Sequence, residues 1–185
     1  ISSATDRADN TLPLPAQGMG SWKRLLYTPP AADTQIDAPV DARHYNFLSQ
    51  LLGTANDETA KIQVKVERKD LGTCWGGTAT LDWVNCGNVS TGTRIIYPTG
   101  VPGNRSWTYP PLGETIPDWI NNTTYTLTIT GLNAASVIEA PAPTAQFFVD
   151  MSSPISNITV PAAGAFLKTP PKLGGTIVDT PLVGG

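Results

Sequence analysis

Residues 124–130 read Thr-Tyr-Thr-Leu-Thr-Ile-Thr. Successive side chains of an extended strand point to opposite faces, so Tyr125, Leu127 and Ile129 share one face and the four threonines share the other. β-Branched residues at that spacing suit a pleated, half-buried surface. The same period of two recurs upstream, where Ile62, Val64 and Val66 alternate with Lys61, Gln63, Lys65 and Glu67, and where Ala79, Leu81 and Trp83 alternate with Thr78, Thr80 and Asp82. Shorter candidate strands cover 94–97, 136–139 and 146–151, separated by turn clusters such as Gly100-Val101-Pro102-Gly103 and Pro141-Ala142-Pro143. Six or more antiparallel strands with one buried face fold as a sandwich or barrel. The expected fold is therefore an all-β antiparallel β-sandwich. In it Ile62, Val64, Val66, Leu81, Trp83, Tyr125, Leu127 and Ile129 face inward, and Lys61, Lys65, Thr126 and Thr128 face outward, a division that a one-residue register slip would reverse.

One helix is expected, from Asp41 as cap to Leu52, with Ala42, Tyr45, Leu48 and Leu52 at three-to-four spacing and Gly53 as the stop. Residues 1–40 carry Pro13, Pro15, Pro29, Pro30 and Pro39 and read as an extended arm with one strand candidate around Trp22 to Tyr27. Residues 41–160 hold the sandwich. Residues 161–185 form a second arm, rich in Pro and Gly, with Lys168, Lys172 and Asp179 as its only charges. Such a tail alone cannot bury enough apolar surface to offset its backbone entropy, so order in either arm requires contacts with neighbouring subunits. Phe166, Leu167 and Leu173 are its candidate apolar anchors.

The 185 residues are 40% hydrophobic and 15% charged, too apolar and too weakly charged for a disordered chain. A chain of this length buries roughly 70% of its unfolded surface, enough for one sizeable core. The net charge of −3 and the lack of any cationic run longer than a pair such as Lys23-Arg24 argue against a conventional nucleic-acid surface. No apolar stretch approaches the ~20 residues of a membrane span. Ile1 in place of Met, with no signal-type segment after it, is expected of a processed chain.

Cys74 and Cys86 are the two cysteines, and both a bridge and a pair of core thiols suit them. Asn88, Asn104, Asn121, Asn122 and Asn157 each open an Asn-x-Ser/Thr sequon, a mild excess for a Thr-rich chain. His44 is the single histidine and lies on the expected helix, away from any Gly-x-Ser-x-Gly elbow, so a structural role outweighs a catalytic one. One His and two Cys match no compact zinc pattern. Glu114, Asp118, Glu139 and Asp150 could supply a glycosidase pair only if two of them met across a cleft, and solvated surface carboxylates are the simpler reading. Gly76-Gly77 lacks the Lys-Ser/Thr and helix of a phosphate cradle and reads as a turn or bulge. No enzymatic activity and no cofactor are expected.

Trp107, Tyr109 and Trp119 sit among Pro110, Pro111, Gly113 and Pro117, hence on expected loops, where rings pack inside the domain or against a neighbouring subunit more readily than they form a ligand platform. They are candidate interface residues.

An aromatic helix with Tyr45 and Phe47, the alternating strand 61–68 and the later stretch Ile95-Ile96-Tyr97-Pro98-Thr99-Gly100-Val101-Pro102 follow one another in an order that resembles the jelly-roll capsid proteins of picorna-like positive-strand RNA viruses. The resemblance covers residues 20–160 as an order of elements. It implies that 124–130 and 146–151 are the last two strands of a jelly roll. It also implies that processing from a polyprotein made the non-Met start and the Gly184-Gly185 end. Between Pro102 and Asn121 the chain departs from that pattern, lacking a long hydrophobic strand.

The leading expectation is a structural shell subunit assembled in the host cytoplasm into a virion, with copies of itself and other capsid subunits as partners and free thiols at Cys74 and Cys86. The alternative is a secreted or cell-surface β-sandwich that recognises a glycan or protein, a host receptor included, through the loop aromatics. For that module the sequons and a Cys74–Cys86 bridge are the supporting features.

Overall fold

The structure, a computed structural model, describes residues 4–5, 11–12, 30–78, 81–87, 92–169 and 172–178. Among these residues every regular element is a strand, and no helix forms. Two short strands near the start, β1 (Ala4–Thr5) and β2 (Thr11–Leu12), pair with each other.

The body consists of two larger sheets. Four strands lie in the order β10-β11-β5-β3, with β3 at Thr34–Ala38, β5 at Leu51–Ala55, β10 at Thr99–Val101 and β11 at Asn104–Tyr109. Seven belong to the second sheet: β4 (Arg43–Tyr45), β6 (Thr59–Arg68), β7 (Thr73–Thr78), β8 (Leu81–Asn85), β9 (Arg94–Ile96), β12 (Thr123–Asn133) and β13 (Thr144–Val149). Their order is β4-β13-β12-β6-β7-β8, with β9 also paired to β6. All of these pairings are antiparallel except that of β4 with β13.

Strand β12 is the quoted stretch extended, and its register sets Tyr125, Leu127 and Ile129 beside Arg68, Val66 and Val64 of β6. Tyr125, Leu127, Ile129, Ile62, Val64 and Val66 are buried, while Lys61, Lys65, Thr126 and Thr128 are half-buried on the opposite face. Trp83 packs half-buried against this core. The side chain of Leu81, together with Ala79 and the Trp22 to Tyr27 candidate, lies outside the described residues. Leu51, Trp107 and Tyr109 of the four-stranded sheet join Ile62, Leu127 and Phe147 of the other in one core, an arrangement consistent with a β-sandwich.

The helix expected over 41–52 does not form. Ala42 adopts a φ of +58°, outside the helical region, and its amide donates to Gln146 O at 2.7 Å. Asp41, the expected cap, accepts the Gln146 amide instead at 2.7 Å. Tyr45 sets its ring edge-on to Phe147 at 6.1 Å, and its carbonyl takes the Asp150 amide. Pairing across 105 positions thus overrides a weak local period, as tertiary context does for short helices. Gly53 is no stop. It lies in mid-strand beneath the Trp107 ring.

Two further expectations change. Strand β11 occupies the stretch between Pro102 and Asn121 that reads as loop, and residues 136–139 contribute only an isolated Leu132–Ile138 bridge. The four-stranded sheet also begins at Thr34, before the expected start of the sandwich at residue 41. Its first strand is held by Glu139, a buried carboxylate that accepts the Thr34 amide at 2.7 Å, the Thr34 hydroxyl at 2.6 Å and the Gly131 amide at 2.8 Å. Three donors offset the desolvation that makes a buried carboxylate costly.

Candidate assembly surface

The sequence-derived interface residues fall into two groups. Trp107, Tyr109 and Trp119 are buried. Trp107 donates its indole N–H to Gln35 O at 3.1 Å, and Trp119 donates to Leu48 O at 2.8 Å while standing edge-on to Tyr125 at 4.9 Å. Tyr109 accepts the Trp75 indole N–H at 3.0 Å. Burial pushes the Tyr109 hydroxyl well above the usual phenol range, and the nearby Glu114 carboxylate adds to the shift. These rings fill the core, with their polar tips satisfied, and offer no face to a sugar or a neighbour. The alternation Trp107-Thr108-Tyr109 carries the signal of an inward strand face, but the prolines that follow direct the reading to a loop.

Phe166, Leu167 and Leu173 are placed differently. Phe166 is fully exposed, Leu173 is 82% exposed and Leu167 about half so. They lie in the connection between two strands that sequence reading missed, β14 (Ile155–Val160) and β15 (Gly174–Val178), which pair antiparallel. Every residue of β14 is exposed, as are four of the five in β15. Ile158 stands opposite Gly175 and Val160 opposite Gly174, so no cross-strand side chain covers either. Gly175 is needed there, because a Cβ would come within 2.5 Å of Asn157 O. A lone two-stranded hairpin is marginal in water. This one presents Ile155, Ile158, Val160, Ile177 and Val178 to solvent.

Cys74 and Cys86 are bridged, with their Cα atoms 4.9 Å apart, across the β7–β8 hairpin. The free thiols expected for a cytosolic shell are therefore not what the structure contains.

The remaining candidates are structurally engaged. Glu114 binds Arg94 at 2.6 Å, with both side chains largely buried, and Arg94 also donates to Gly76 O at 3.1 Å. His44 is exposed against the Phe148 ring at 5.0 Å. Asp150 accepts the Ser152 amide at 2.8 Å, Asp118 is exposed, and Glu139 is spent on the clasp described above. Among the described residues no group of three or more His, Cys, Asp or Glu gathers as a metal site, and no helix is long and apolar enough to cross a membrane.

Comparison of the chain with protein-family models, with curated proteins and with solved structures finds no match.

Proposed function

We propose that this chain is a structural subunit of a virion-type shell, which does no chemistry and joins its neighbours through its C-terminal arm. The observation that carries the reading is the β14–β15 hairpin with its connection, whose aliphatic and aromatic side chains are left exposed by the described residues. Apolar surface of that kind marks an interaction site. In this reading the sandwich is a jelly roll. Support comes from the chain passing between the two sheets from β3 to β4, β4 to β5, β5 to β6, β9 to β10 and β11 to β12. Deleting residues 161–185 is expected to abolish large particles in light scattering and electron microscopy while the sandwich still unfolds cooperatively. A truncated protein that built the same particles would sink the proposal.

The Cys74–Cys86 bridge favours a second reading, a secreted or cell-surface binding module. The shell reading accommodates the bridge only because disulfides persist on virion surfaces as well as in secreted proteins, so on this point the weight lies with the module. The module reading no longer has Trp107, Tyr109 and Trp119 as a platform, since they are buried. Hexose mass at Asn104 or Asn157, both exposed sequon positions, in protein from its natural source would favour the module. Bare asparagines there would favour the shell.

A further inference from the structure

We infer that the arm of one copy docks on the acidic corner of a second copy, where Asp57 and Glu58 share a hollow with Gly100 and Pro102. The inference rests on the assembly reading above and names the surface that receives the arm. Its first support is charge. The arm, residues 161–185, carries Lys168 and Lys172 against one acid, Asp179, a net +1, whereas residues 30–150 carry seven Lys and Arg against twelve Asp and Glu, a net −5. Arm repels arm and body repels body, so the favoured contact is heterologous, arm to body, and repeats into rings or larger assemblies.

The second support is where the body's carboxylates are already engaged. Lys65 and Lys69 flank Glu67, Arg68 holds Asp70, Arg94 holds Glu114, and Glu139 is buried under its three donors. Among the described residues Asp33, Asp37, Asp41 and Asp118 form no ion pair and stand singly, whereas Asp57 and Glu58 are adjacent and equally without one, Asp57 accepting only the Gly103 amide at 2.9 Å. They line an open hollow of about 390 Å³ with Gly100, Pro102 and Arg105. The Arg105 guanidinium there is turned onto the carbonyls of Asp57, Thr59 and Pro98, leaving two carboxylates to one cation. In the stretch that supplies Gly100 and Pro102 to this hollow, Tyr97 is 69% and Val101 66% exposed. The corner therefore offers negative charge in a stretch with exposed apolar side chains, against Lys168 and Lys172 beside Phe166, Leu167 and Leu173 on the arm.

The test is a charge exchange in the full chain, read by light scattering. Lys168→Glu with Lys172→Glu on the arm, and Glu58→Lys on the body, should each weaken association at least about tenfold, because attraction becomes repulsion. All three changes in one chain should restore association to within about threefold of the original. Glu58→Gln, which removes charge without inverting it, should give an intermediate loss, and near-ultraviolet circular dichroism checks that each sandwich is intact. Raising salt to about 1 M, where the Debye length is about 3 Å, should weaken the original protein and affect Glu58→Gln less. If Glu58→Lys associates like the original, or the exchanged chain stays as weak as its parents, the receiving corner is wrong. Loss of assembly on deleting 161–185 would in that case still support the arm. A full chain that stays monomeric overturns both.

Discussion

At Gly53 an added methyl group would run into the Gln35 carbonyl oxygen and stand 2.6 Å from Trp107 Cζ2. Backbone on one side and a buried ring on the other cannot retreat, so Gly53→Ala is expected to cost about 2–4 kcal/mol in urea unfolding, near the upper end for overpacking. Leu127 and Thr126 test the opposite faces of β12. Leu127→Ala empties a site enclosed by the core and should cost roughly 2–5 kcal/mol, whereas Thr126→Ala, on the half-buried outer face, should cost less than about 1 kcal/mol. A larger loss at Thr126 would reverse the face assignment. This face could be read from the amino acids because threonine alternates without interruption with Tyr125, Leu127 and Ile129 over 124–130. Gly53 could not be read in the same way. A glycine after Leu51-Leu52 looks like a helix stop until Trp107, 54 positions later, is known to cover it.

At the level of elements, the long strands β6 and β12 follow from period-two patterns and β13 from the shorter candidate at 146–151, whereas the alternation expected over 78–83 is divided between β7 and β8, with Thr78 paired to Leu81. Strands β3, β5 and β11 are held by partners far away in the chain. Their short patterns are broken by Gly53 or followed by proline, so local composition alone does not separate them from loop or helix. The assembly surface divides the same way. The apolar anchors at 166, 167 and 173 stand out as hydrophobic residues in a tail too poor to bury them, but the hairpin that carries them is built partly from Gly174 and Gly175, which suggest a turn rather than a strand. The β7–β8 hairpin gives a sharper test. Its Cys74–Cys86 bridge closes a short loop, and replacing both cysteines with serine is expected to cost up to about 3 kcal/mol by the chain-entropy account. Intact mass should show the native chain two hydrogens lighter than the reduced one. Equal masses would remove the bridge from the argument.

Across the whole molecule, alkali and acid should act unequally. Burial holds the Tyr109 and Tyr125 hydroxyls neutral, with pKa values raised above the ordinary phenol, so the unfolded chain gives up those protons first. Their contribution is complete below about pH 10 and is lost as pH climbs toward the raised values, so melting temperature should fall there and phenolate absorbance should show a late step coincident with unfolding. On the acid side Lys69 holds Glu67, and Arg68 holds Asp70, below their ordinary values of 4.5 and 3.8. Stability from these pairs is present above those values and lost as pH falls through the lowered ones, but each pair lies at the surface with one exposed partner and the loss should be slight. The Glu139 clasp bears on the molecule in another way, through time. Thr34 and Glu139 are separated by 105 positions, and closing a loop that long costs about 4 kcal/mol in scaling alone. Such a contact forms only after nearer strands have paired, on the far side of the folding barrier. Glu139→Gln, which sets an amide against the Gly131 N–H, should therefore speed unfolding about tenfold and leave refolding within about twofold in a denaturant chevron. A slowed refolding limb would place the clasp in the nucleus instead. If the clasp does form last, the first strand of the sandwich is also the first to be let go, and how long a subunit endures is set by one carboxylate.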